Sequence, residues 1–171
     1  MVKHKFVNDL GVAAYILMHG YIVIGKKERS IYFECSTQQE ENEFDELVLE
    51  YQPPNEFYTF DSCLMFLKKM NEFTPRPVEN QKTVSDLGVA AFLLANEYKD
   101  TRLGLKVIGK NGRYVHFCLP EEKNEAFDRL SYAYLPSRFH SYDSNLVALK
   151  KNWRIYAFKL TYIRKKRGYS C

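Results

Sequence analysis

The residues of this chain whose spacing could do chemistry are basic, and the chemistry is electrostatic. Lys26 and Lys27 stand just before Arg29, and Lys110 stands just before Arg113 in a matching local pattern. Two lysine pairs, Lys68-Lys69 and Lys150-Lys151, also match one another. The segment from Arg154 to Cys171 adds Arg154, Lys159, Arg164, Lys165, Lys166 and Arg167 without a single acid. Cations spaced along hairpin tips and helix ends can track phosphates, with tyrosines and Trp153 available for base stacking. The candidate contact set for nucleic acid or another partner is therefore Lys26, Lys27, Arg29, Lys68, Lys69, Lys110, Arg113, Lys150, Lys151, Arg164, Lys165, Lys166 and Arg167. A plainer reading stands beside it. Cations late in a helix are favoured by the helix dipole, and lysines on a hairpin tip are commonly just solvated.

Catalysis has no comparable signature. His4, His19, His116 and His140 are scattered without ligand spacing. Cys35, Cys63, Cys118 and Cys171 are far apart and form no Cys-x-x-Cys pair, which fits separate reduced thiols better than a disulfide framework or a zinc site. A Gly-rich phosphate loop, a nucleophile elbow and paired carboxylates are all missing from the pattern. The expectation is a non-enzymatic protein without a cofactor or a metal.

The elements that position these cations come in two copies. Asp-Leu-Gly-Val-Ala-Ala begins at Asp9 and again at Asp86, within a longer match of Val7–Tyr21 to Val84–Tyr98. The match continues as Val23-Ile-Gly-Lys26 with Val107-Ile-Gly-Lys110, Phe44-Asp45 with Phe127-Asp128, and Tyr51 with Tyr134. Phe60-Asp-Ser62 likewise answers Tyr142-Asp-Ser144. These pairs predict a first repeat over residues 1–73, a linker over 74–82 and a second repeat over 83–153, with an insertion around Lys99–Leu105 in the second. Residues 154–171 are expected to form a basic, amphipathic helical tail.

Each repeat reads as α-β-β-α-α. The first helix is apolar nearly all round and so buried on most sides, with Asn8 and Ser85 as N-caps and Asp9 and Asp86 in the first turn. Gly11 and Gly88 inside it imply close backbone packing. A hairpin follows, flanking Asn111-Gly112 in the second copy and Lys27-Glu28 in the first. The stripe Phe44, Leu47, Val48, Tyr51 and its counterpart Phe127, Leu130, Tyr134 mark a second helix, ended by prolines. A third helix starts near Asp61 and Asp143. In the second copy it runs on through Leu146, Leu149, Trp153, Tyr156, Leu160 and Ile163, at the spacing of a helical seam. A two-stranded hairpin alone is marginal, so the two hairpins are expected to join in one four-stranded antiparallel sheet. The fold class is α+β.

The Asp-Leu-Gly-Val-Ala-Ala-Phe-Leu-Leu stretch, followed by Val-Ile-Gly and a Phe-bearing second strand, resembles a family of short bacteriophage and prophage proteins of unknown function. Those look like single copies of this unit, and the likeness covers both halves but not the chain after Trp153. It implies a fold and a mobile-element origin, and it transfers no active site, because the matching residues are core residues.

A net charge of +4 is only mildly basic, and no apolar run reaches the length of a membrane span. The expected location is the cytoplasm, that of a host cell if the chain is phage-encoded. Nucleic acid, DNA before RNA, leads as partner. The alternative is a host-takeover or counter-defence protein that inhibits a host protein or sequesters a nucleotide signal, and a minor assembly protein is a third reading. The tail admits self-association, docking on its own domain, or contact with membrane headgroups.

Overall fold

A computed structural model describes residues 3–75, 78–98 and 103–151. In chain order the elements are β1 (Lys3–Val7), α1 (Leu10–Met18), β2 (Val23–Lys27), β3 (Ser30–Cys35), α2 (Gln38–Glu50) and α3 (Glu56–Lys69). Then come β4 (Gln81–Val84), α4 (Leu87–Glu97), β5 (Lys106–Asn111), β6 (Tyr114–Cys118), a 3-10 turn at Glu121–Lys123, α5 (Asn124–Ala133) and α6 (Arg138–Lys151). The class is mixed α and β: among the described residues, six α-helices and two three-stranded antiparallel sheets.

The hairpins do not join into one sheet. Each is completed by a strand that the sequence had not marked: the orders are β1-β3-β2 and β4-β6-β5. Strand β1 runs along β3 with Val7 opposite Ile31, and β4 runs along β6 with Val84 opposite Val115. Gln81 thus belongs to a strand rather than to the linker, and each block of shared motifs begins with a strand, β-α-β-β-α-α. The third strand is the physical answer to the weakness of a lone hairpin.

The chain divides into two compact units, and the division does not follow the linker. One unit holds the described residues up to Gln52 together with those from Ser141 onward; the other is Pro53–His140. The first unit therefore contains β1, α1, β2, β3, α2 and most of α6. The second contains α3, β4, α4, β5, β6 and α5. Each unit closes its core with a helix from the other half of the chain.

In the first unit Ile31, Phe33 and Cys35 alternate with half-exposed Ser30, Tyr32 and Glu34, so one sheet face is buried. Phe44 of α2 packs on Phe33 with ring centroids 5.6 Å apart. Ala13, Ala14 and Ile16 of α1 are fully buried. Tyr51, just past α2, stacks with Tyr142 of α6, and their hydroxyls hydrogen-bond. Gly11 is required here: a Cβ would stand 3.0 Å from the Tyr142 hydroxyl and closer still to Tyr51. Asn145 of α6 donates to the Ala14 carbonyl at 3.4 Å.

The second unit builds its core from other side chains. Ala90, Ala91 and Leu93 of α4 are fully buried, and Phe127 of α5 meets Phe117 of β6 at 6.1 Å. Phe60 of α3 stacks with Tyr134 at 6.3 Å, and Phe92 meets Tyr134 at 5.7 Å. Each fully buried aromatic or branched side chain contributes roughly 1.5–3 kcal/mol through removal from water.

Several local expectations change. The N-caps of α1 and α4 are Asp9 and Asp86, which accept from the amides of Val12 and Val89 at 2.9 and 3.0 Å. Asn8 instead accepts from the Ser30 hydroxyl at 2.8 Å. The hairpin turns fall one residue later than expected, at Glu28-Arg29 and Gly112-Arg113, with Lys27 paired to Ser30 and Asn111 to Tyr114. Helix α3 begins at Glu56 behind the cap Asn55, and α6 begins at Arg138, so Asp61 and Asp143 lie inside helices rather than capping them. Asn55 accepts from the amides of Phe57 and Tyr58, which starts α3 a turn earlier. The centre of the expected insertion, residues 99–102, lies outside the described residues, and so does the expected long C-terminal helix beyond Lys151 with the tail 154–171.

Candidate functional site

Among the described residues, two of the candidate lysines tie a hairpin to a helix. In the first unit, Lys26 on β2 reaches α6 and donates from Nζ to the Leu149 carbonyl at 3.1 Å. In the second unit, Lys110 on β5 reaches past the end of α3 and donates to the Met70 carbonyl at 3.1 Å. Helix ends leave carbonyls without partners inside the helix, and a lysine is a suitable donor for them. Lys110 is 7% exposed and Lys26 half-buried. Both ammonium groups are thus engaged within the fold, Lys26 on a carbonyl of α6 and Lys110 on the carbonyl that follows α3.

Next to these bonds in sequence stand the exposed Lys27 and Arg29 at the first hairpin and the exposed Lys150 and Lys151 on α6. In the second unit the neighbours are the exposed Arg113 at the hairpin and Lys68 and Lys69 on α3. The second hairpin is held more tightly. Phe73 pairs through its backbone with Lys110, with N–O distances of 3.0 and 2.9 Å, and Glu72 accepts from the Gly112 amide at 2.9 Å. Arg113 lies over the Tyr114 ring, 5.5 Å from its centroid. Each tip also carries a carboxylate, Glu72 at the second and Glu28 in the turn of the first. Arg164, Lys165, Lys166 and Arg167 lie outside the described residues.

The sequence reading missed an acidic cleft in the first unit. It has a volume of about 180 Å³ and is lined by His19, Tyr21, Glu34, Ser36, Glu40 and Glu43 among others. An adjoining depression is lined by Glu43, Glu46 and Glu50. Helix α2 supplies most of the charge, because Gln38–Glu50 holds six acids and no base. Thr37 caps it, accepting from the Glu40 amide at 3.1 Å. Tyr21 donates to the Glu40 carbonyl at 2.9 Å. Burial, with Glu43, Cys35 and Glu40 nearby, pushes its phenol up to about 12. The run Glu40-Glu41-Asn42-Glu43 was the signal that could have found this cleft.

Charge pairing on the helix side of each sheet is also shared. Lys5 meets Asp45 at 2.7 Å and Lys82 meets Asp128 at 3.0 Å. The hydrogen bond to Asp45 raises the Lys5 ammonium above its ordinary value. Cys35, Cys63 and Cys118 are free thiols. Burial pushes Cys63 up to about 11 and raises Cys35 as well. His116 takes a hydrogen bond with Thr83, and His140 stands edge-on to Tyr134 at 5.4 Å. Among the described residues no group of three His, Cys, Asp or Glu could hold a metal ion, and no helix is long and apolar enough to cross a membrane. No protein-family model matches the chain, and neither a curated protein nor a solved structure matches it.

Proposed function

We propose that this chain is a non-enzymatic accessory protein of the phage type that binds nucleic acid, DNA in preference to RNA, through basic corners built by a duplicated β-α-β-β-α-α unit. The observation that carries the reading is the bond from Lys26 to the Leu149 carbonyl, which ties the hairpin bearing Lys27 and Arg29 to the helix bearing Lys150 and Lys151. Such a corner is a local positive field with flexible donors, suited to phosphate oxygens. Lys26 and Lys110 act in it as struts that hold hairpin to helix end.

Fluorescence anisotropy with duplex DNA and with RNA of matched sequence, at two salt concentrations, tests this. Binding should weaken steeply as salt rises. Replacing Lys27, Arg29, Lys150 and Lys151 by Gln should lower the salt slope by about one for each phosphate no longer neutralised. Failure to bind either polymer at low salt removes the reading.

A second reading is favoured by the acidic cleft beside Tyr21: a host protein that presents a basic segment to Glu34, Glu40 and Glu43. Cross-linking of the purified chain to host lysate, repeated with Glu40→Gln and Glu43→Gln, tests it. Loss of a cross-linked partner on those changes supports it, and an unaltered pattern counts against it.

A further inference from the structure

The two sheets share their topology but not their outer surfaces. On the first, Phe6 of β1 lies opposite Tyr32 of β3, with ring centroids 5.6 Å apart and planes at 38°. Phe6 is 54% exposed, and Ile24 on β2, beyond β3, is 39% exposed. A large apolar ring left in water contributes little to the core, and an exposed apolar group of this kind is the informative departure from ordinary burial. On the second sheet the same paired positions are Thr83 and His116, joined at 2.9 Å, with Gln81 at 3.4 Å from the same ring nitrogen. The strand pairing therefore has no need of an aromatic pair.

Position and charge say what would cover the pair. Lys27 pairs with Ser30, and Tyr32 is two residues along β3 from Ser30, so Tyr32 lies about 7 Å from the hairpin tip. Phe6 stands beside it at the same end. The acids of α2 lie on the opposite face, where Phe44 packs on Phe33. A polyanion is thus turned away from the helix side and drawn to the tip. Glu34, opposite His4, bounds the aromatic surface at its far end.

Building on the nucleic-acid reading, we infer that the outer face of the first sheet is a stacking platform for single-stranded DNA. Unpaired bases lie on Phe6 and Tyr32, and the phosphates run toward Lys27 and Arg29. A duplex cannot use the platform, because its base faces are covered by their neighbours in the stack; unpaired bases offer theirs freely.

The test compares the full chain with a Phe6→Thr, Tyr32→Thr variant in anisotropy titrations with labelled oligodeoxythymidine and with a duplex of equal length. Removal of two stacking rings should weaken single-strand binding roughly tenfold to a hundredfold and leave duplex binding unchanged. A Phe6→Trp variant gives an independent readout: it should keep its affinity, and its added indole emission should be quenched by oligodeoxythymidine. Unchanged single-strand affinity in the double variant, alongside weakened binding in Lys27→Gln, Arg29→Gln, overturns the platform and leaves the nucleic-acid reading standing. An equal loss on the duplex also overturns it. No binding of either DNA by the parent chain overturns both.

Discussion

The sheets of the two units share a strand order and carry different residues on it. Both bulge their second strand at a glycine, between Val23 and Gly25 in one and Val107 and Gly109 in the other. Around Gly25 there is open space, whereas a Cβ on Gly109 would come within 2.5 Å of Pro75. Both turn their hairpins through a residue of positive φ, which is Glu28 at +54° in one and Gly112 at +57° in the other. Both brace the hairpin with a lysine, half-buried in the first unit and buried in the second. The second unit is the more closely fitted of the two around its hairpin. The first leaves its hairpin open, its outer sheet face aromatic and its helix side strongly acidic. One strand order is thus compatible with quite different surfaces, and the surfaces rather than the strand order carry the case for function.

Substitutions at matched positions can break this comparison. The largest effect is expected at the bulge. Gly109→Ala should destabilise by up to about 3 kcal/mol through overpacking against Pro75. Gly25→Ala should stay within about 0.5 kcal/mol of the parent. Urea denaturation of each variant reads both, and equal losses would show that the close fit near Pro75 is unimportant.

The brace comes next. Lys110→Met should cost about 2 kcal/mol, since it removes a charged donor and strands a helix-end carbonyl in a buried place. Lys26→Met should cost about half as much, because water can replace the ammonium. Native-state hydrogen exchange of the β5–β6 and β2–β3 amides would locate each loss.

The turns give a smaller effect of opposite sign. Glu28→Gly should stabilise by about 1 kcal/mol, relieving a side chain held at left-handed φ, and raise the thermal midpoint by about 2–4 °C. Gly112→Ala should lower it by a similar amount.

The smallest difference is one of titration. Tyr21 in the first unit is half-buried, while Tyr98, its counterpart by sequence, is exposed. The Tyr21 phenol is raised to about 12 in the folded protein against an ordinary value of 10. Its contribution is fully present below pH 10 and is lost as pH climbs through 12. Alkaline unfolding followed by circular dichroism should therefore be shallower in Tyr21→Phe.

Much of this was legible in the residues. The apolar runs after Asp9 and Asp86 named two buried helices, because small and branched side chains without a polar face have nowhere else to go. The alternation of Ile31 and Phe33 with Tyr32 named a half-buried strand. Strands β1 and β4 escaped because Lys3-His-Lys-Phe-Val and Gln81-Lys-Thr-Val are very short, are mostly polar and lack a period-two alternation. The matched pairs Lys5–Asp45 and Lys82–Asp128 were their only trace. An apolar stripe announces that a helix is buried but not against what, so the destinations of α3 and α6 could not be read. The lysines of the candidate site were visible, while the bonds of Lys26 and Lys110 to distant carbonyls were not. Lys26 and Lys27 differ by one strand position and point to different surroundings.

The provenance of α6 has a consequence for synthesis. The first unit needs Tyr142 and Leu149 before its core is shut, yet Gly11, Ala13 and Ala14 leave the ribosome well over a hundred residues earlier. During that interval the α1 surface is bare and at risk of sticking to other nascent chains. Unit two, drawn from one continuous stretch, can finish first and hand over the sealing helix. Translation stopped just past His140 should release one folded half and one open one.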